Sequence, residues 1–316
     1  MYKKLIHFFY FNKYLRYLIW LIIFFLFTFS FLFSLNLYSN YQYGKFDLGN
    51  MSLMLFNTSR GSFFTLTDYF GSNVSRLAFS HFDISLLILT PIYWFYNSPI
   101  ILLLVQSLCF LLSSFLVYKI ARQFKLSKNI SSILSLLVFL LPVSGFILVK
   151  TTFHPLVIAS PTLLIILFYF KKSLSKKFSN KDKVILYFSV LLFLLSKEHL
   201  GFILFSFIPY FFYQLKVNSR IGLRNIIKNK FILICIFSLF FSLFNFLFLI
   251  PKYKDIRKTS AQNFAIQNNL EISKVKKYTD DNYFLFRYQK LGNGYGNIVR
   301  NIITNPTLVY KTLNSN

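Results

Sequence analysis

Groups able to move protons or hold ions are scarce in this chain: nine Asp/Glu and four His among 316 residues, against 35 Lys/Arg. The few that interrupt apolar sequence are the candidates for chemistry. Asp47 follows Phe46 and precedes Leu48-Gly49-Asn50. A carboxylate a few residues past an apolar helix lies near headgroup level, where it could serve as general base toward a substrate presented at the membrane surface. The plainer alternative is that Asp47 caps a short helix or pairs with Lys45. His81-Phe82-Asp83 has the form of a helix start, with Asp83 as its cap. His154-Pro155 closes the polar stretch after Lys150. Pro155 is ordinary in a helix's first turn, so His154 is either an interfacial residue or a site residue. Lys197-Glu198-His199 separates two apolar half-runs. Charges in such a place are costly unless they pair or face water, so Lys197 and Glu198 either neutralise each other or belong to a site.

Other chemistries lack their residues. There is no Walker loop, no dinucleotide-binding glycine pattern, no HExxH and no CxxC pair. Cys109 and Cys235 both fall inside apolar runs, as small packing residues and not as a disulfide or metal pair. The sequons at Asn57 and Asn73 are too common a pattern to carry weight. Whether a divalent metal serves as cofactor is left open by these residues.

The elements that must position these groups are membrane helices. Hydrophobic residues make up 55% of the chain, charged residues only 14%, and mean hydropathy is +0.54. Apolar runs of spanning length recur. The first, residues 17–37, is too long for a signal-peptide core and lacks a small-residue cleavage site, so it is an uncleaved first helix. A net charge of +26 on a soluble protein would point to nucleic acid. Here the basic residues sit in short connectors, so no nucleic-acid partner is expected and membrane lipid is the expected surrounding.

Basic connectors also set the topology. Lys3, Lys4, Lys13 and Arg16 precede the first helix. Three later zones, around residues 119–128, 171–183 and 216–230, are almost purely basic and should share the cytoplasmic side. The expected protein is an all-α, multi-pass cell-membrane protein with a cytoplasmic N-terminus. It has about seven transmembrane helices plus a re-entrant or interfacial segment over residues 84–96, which is short, contains Pro91 and ends in aromatics. Residues 184–215 are too long for one crossing and break at Ser196-Lys197-Glu198-His199, which predicts a hairpin of two short helices. Residues 1–250 form the transmembrane domain, with an outer loop at 38–83; residues 251–316 form a polar extracytoplasmic tail. His81, His154, His199, Asp47 and Glu198 then all fall on the outer side, although only Lys and Arg chose it.

An ordered series of short motifs carries a resemblance. It comprises FDLGN, then Asn57 and Arg60-Gly61, SHFDISLLILTPIYWFY, Gln106, VYKIAR, FHP, SKEH and finally RYQKLGNGYGNIVRNIITNP. The series resembles the uncharacterised prokaryotic membrane proteins of domain-of-unknown-function family 2079. That family's layout is similar to the GT-C glycosyltransferases, polytopic enzymes that use lipid-phosphate-linked sugars at the outer face. The resemblance implies that Asp47 is the acid of the first outer loop. His81 and His154 fall where such enzymes place further polar or acidic residues, although position 154 is His where many carry Asp. Such enzymes also have more helices, which implies a truncated member.

The expected function is sugar transfer from a polyprenyl-phosphate-linked donor, with Asp47 catalytic. His81, His154, Lys197, Glu198 and His199 are expected to bind substrate, Lys197 or a tail cation holding the phosphate. The alternatives are a lipid or solute transporter built around the same residues, or a non-catalytic membrane protein.

Overall fold

A computed structural model describes residues 13–43, 45–67, 71–79, 81–150, 153–174, 178–219, 229–278, 288, 290–292 and 294–314. Among the described residues the protein is all-α apart from one small two-stranded ladder. Its contacts divide it into two compact units: residues up to Gly61 with Asp83–Ser242, and Ser62–Phe82 with Leu243–Asn316.

The first unit is a helix bundle. Helix α1 (Lys13–Ser39) turns Leu21, Phe24, Phe25, Phe29 and Leu32 outward and Ile19, Ile23, Ser30 and Ser34 inward. Outward apolar side chains suit lipid, while small inward ones let helices approach closely. Helix α2 (Lys45–Ser59) follows, then a 3-10 turn (Ile84–Leu89) running into Thr90–Tyr93. The apolar element Ile84–Tyr93 is ten residues long at most, too short to cross a ~30 Å hydrocarbon core, as its length and Pro91 led one to expect. Helix α3 (Ile100–Gln123) packs on α1, on α4 (Lys128–Leu140) and on α5 (Leu156–Ser173); α4 also packs on α1, and α6 (Asn180–Leu194) packs on α5. Hydroxyls stitch the bundle: Ser114 donates to the Ser135 carbonyl (2.6 Å) and Ser113 meets Ser160 (3.1 Å).

The apolar run after α4 is not one straight helix. Leu141 is extended, as a residue before proline tends to be, and Pro142 restarts the chain at 48° to α4. Residues Phe146–Lys150 then take a wider π-type turn. A wider turn leaves carbonyls without regular helical partners. Ile147's is met by Gln106 Nε2 at 3.0 Å and Leu148's by Ser34 Oγ at 2.7 Å.

The break expected within residues 184–215 lies at Leu195–His199, between α6 and the pair α7 (Leu200–Ser206) and α8 (Ile208–Ser219). Helix α6 starts at a Ser179–Asp182 capping box beside a basic connector, where Lys172 bonds Asp182 at 2.7 Å. Phe211 of α8 comes back to that end. Its ring lies 4.2 Å from Phe170, at the foot of α5, and 5.9 Å from Phe231, at the start of α9 (Lys230–Phe244). Gly201, at the other extremity, lies against Ser238 and Ser242 further along α9. The α6–α8 stretch therefore leaves the basic end and returns to it, as a hairpin.

Among the described residues, five helices are long and apolar enough to span a membrane, six if the bent pair Lys128–Leu140 and Pro142–Leu148 is one span. The multi-span class stands. The expected count of about seven is not reached on this measure, because α6 has only 15 residues, about 22 Å at 1.5 Å per residue.

In the second unit, β1 (Thr65–Thr67) pairs antiparallel with β2 (Asn73–Ser75), leading into a 3-10 turn at Arg76–Phe79. Helix α10 (Lys254–Gln267) packs on that turn, and Arg257 donates to the Ala78 carbonyl at 2.9 Å. Ala261, Ala265 and Val275 form its small core. Helices α11 (Gly294–Thr304) and α12 (Pro306–Asn314) follow as a contacting pair. The contact boundary thus joins part of the first loop to the tail.

Candidate functional site

Asp47 lies in the first turn of α2, where the helix dipole favours a carboxylate, and is exposed. Leu48, Met51, Met54 and Leu55 are buried along α2, and Tyr93 donates to Ser52 at 3.1 Å. The helix-start alternative for Asp47 is therefore met in part; the side chain of Lys45 lies outside the described ones.

His154 stands immediately before α5, between buried Phe153 and Pro155. Its Nδ1 accepts the Leu156 N–H at 3.3 Å, so the ring covers one of the helix's unpaired N-terminal amides. A neutral imidazole accepting at Nδ1 carries its proton on Nε2, a tautomer assigned from this hydrogen bond.

The fold brings these two residues to one cavity of about 470 Å³. Asp47, His154, Ser144 and Ser160 supply its polar lining, while Phe110, Ile147 and Val157 are among its apolar walls. The volume lies within the range of small-molecule pockets. The bent segment after Pro142 contributes Ser144 and Ile147, so the departure from a straight helix helps to shape this space. Ser144, Ser160 and Phe110 were not singled out from sequence. Serines and a phenylalanine inside apolar runs look like ordinary packing, and no local spacing marks them.

Lys197, Glu198 and His199 are not in this cavity's lining. Lys197 Nζ instead bonds Asp83 Oδ1 at 3.1 Å and lies 3.9 Å from Glu198 Oε2. All three are buried, at 5%, 0% and 6% exposure for Lys197, Asp83 and Glu198. This corrects the capping role expected of Asp83. It occupies the cap position before Ile84, but its side chain makes no capping bond; the carboxylate meets a lysine far along the chain. Buried charge is tolerated only when compensated, and this pairing compensates it. The Ser85 N–H to Leu195 carbonyl bond (2.9 Å) holds the same two segments together. Behind the break, Ser242 donates to the Glu198 carbonyl (2.7 Å) and accepts the Gly201 N–H (3.0 Å). His199 follows the pair at the start of α7, where burial pushes its pKa below the ordinary value; Glu198 raises it and Lys197 lowers it, both by less. His81 is half-buried and belongs to the other compact unit.

A multi-span helical bundle enclosing a mostly apolar cavity with one carboxylate and one imidazole in its lining defines a polytopic membrane protein living in a lipid environment. The chain belongs to the predicted membrane proteins of DUF2079, whose family model matches residues 37–316. No curated protein and no solved structure matches it.

Proposed function

We propose that this protein is a GT-C-like glycosyltransferase acting on a lipid-phosphate-linked sugar at the outer face of the cell membrane, with its N-terminus in the cytoplasm. What supports this reading above all is the shared cavity: Asp47 and His154, distant in sequence, line a space whose other walls are largely apolar. An amphipathic substrate with a polar head and a polyprenyl tail matches that division. In this reading Asp47 takes the proton of an acceptor hydroxyl. The acceptor oxygen forms its bond to the sugar's anomeric carbon as the bond from that carbon to the phosphate oxygen breaks. The electron pair leaves with the polyprenyl phosphate, toward which the Nε2–H of His154 donates. Lys197 is engaged by Asp83 and serves here to hold the hairpin tip, so the phosphate-holding role expected of it passes to His154.

One observation favours a second reading, a lipid or solute carrier: a broken helix lines the cavity, as broken helices often do in transporters. The full chain, reconstituted in vesicles with a labelled polyprenyl-phosphate hexose and a membrane-lipid extract as acceptor, separates the two. Transfer that falls on the order of 10² to 10⁴ in Asp47→Asn supports the enzyme. Label that crosses the bilayer unaltered, equally in parent and variant, makes the protein a carrier.

A further inference from the structure

The last two helices of the second unit leave an apolar stripe uncovered. In α11, Ile298, Val299, Ile302 and Ile303 recur at helical spacing, with Arg300, Asn301 and Thr304 on the other side. Ile298 is buried, whereas Ile303 is 74% exposed, and Val299 and Ile302 are about half exposed. In α12, Tyr310 and Leu313 are 68% and 72% exposed. The turn between the helices is built deliberately: Asn305 Oδ1 accepts the Leu308 N–H at 3.1 Å, and Pro306 starts α12. Asn301 ties α11 back to the Leu291 carbonyl at 2.7 Å. The stripe is thus held in place by its own local bonds.

We propose that α11 and α12 lie in the plane of the bilayer surface, their apolar stripe seated at the boundary between headgroups and acyl chains. Lengths of 11 and 9 residues, about 17 and 14 Å at 1.5 Å per residue, are too short to cross. The charge of this part of the sequence is of one sign. In sequence, residues 282–316 carry four Lys/Arg, namely Arg287, Lys290, Arg300 and Lys311, and no Asp or Glu. Cationic helices with an apolar face and a tyrosine suit anionic headgroups, whereas a protein partner would have to bring the acids itself. The C-terminal stretch of their unit starts at Leu243, within the continuous helix Lys230–Gln267, which carries an apolar window of spanning length.

The test uses the full chain in vesicles of zwitterionic lipid with a minority of anionic phosphatidylglycerol. Single cysteines at Ile303, Leu313 and Thr304 carry an environment-sensitive fluorophore; the parent chain, with Cys109 and Cys235 inside apolar helices, supplies the background. Expected are quenching at 303 and 313 by lipids bearing a nitroxide high on the acyl chain and loss of quenching there by aqueous iodide, with the reverse at 304. Ile303→Asp together with Leu313→Asp, probed from Tyr310→Cys, should restore iodide access. Iodide access at 303 and 313 with no lipid quenching overturns the proposal. So does shielding that grows with protein concentration and shows no lipid quenching, which would mean a second copy or another protein covers the stripe.

Discussion

At the residue scale, the two sets of polar groups in the first unit obey different rules. Asp47 is exposed and lines a cavity, so its substitution should affect chemistry more than folding. A polar swap at such a position usually stays within about 0.5 kcal/mol, so Asp47→Asn should insert and fold like the parent. Lys197 is the opposite case. Lys197→Met removes the cation from a fully buried Asp83 carboxylate, and breaking such a pair typically costs about 3–5 kcal/mol. Thermal unfolding in detergent should therefore drop sharply for Lys197→Met and recover substantially when Asp83→Asn is added; equal loss in the double variant would mean the pair is not what holds these segments. His199 adds a pH dependence. Its folded pKa is depressed below the unfolded value of about 6.5, so the unfolded chain binds more protons as pH falls. Stability contributed by neutral His199 is present above that value and declines as pH drops through it toward the folded pKa. The parent's unfolding temperature should fall more between pH 7.5 and 5.5, on the order of two units spanning that pKa, than that of His199→Gln.

At the element scale, close approach decides what is tolerated. A Cβ on Gly201 would run into the Ser238 carbonyl and the Ser242 hydroxyl of α9. Neither the backbone of α9 nor a hydroxyl already bonded to Glu198 and Gly201 can give way freely. Gly201→Ala should then destabilise by about 1–3 kcal/mol, the usual range for overpacking, read as a lower unfolding temperature than for Gly49→Ala, where the added carbon meets open space. The hairpin containing Gly201 was legible from sequence, because a run too long for one crossing has to break where its charges cluster. The bend at Pro142 is not evident from sequence although the proline stands in plain sight, because the apolar length around it suits one straight span. Asp83 was taken for a cap because its neighbours look like a helix start. Its partner lies 114 residues away, and no local pattern encodes a contact at that separation.

At the scale of the whole molecule, the basic connectors predict an orientation. The positive-inside pattern requires the connector at Ser179 to face the cytoplasm and the loop at Ser72 to face outward. In intact cells, a membrane-impermeant thiol reagent should label Ser72→Cys and spare Ser179→Cys until the membrane is opened; labelling of both from outside would end this topology. The helical, multi-span character could be anticipated from the recurrent apolar runs. The division of the second unit could not, because Ser62–Phe82 carries no compositional mark that joins it to Leu243–Asn316. The central claim is that the cavity between Asp47 and His154 holds a lipid-phosphate substrate. The most direct measurement is photo-crosslinking of the full chain in vesicles with a polyprenyl phosphate carrying a diazirine near its headgroup. Adducts should map to the segments bearing Ile147 and Val157, compete away with unlabelled polyprenyl phosphate, and vanish in Val157→Trp, which fills the space. Adducts confined to the outward face of α1, around Phe25 and Phe29, and unchanged in Val157→Trp, would contradict the claim.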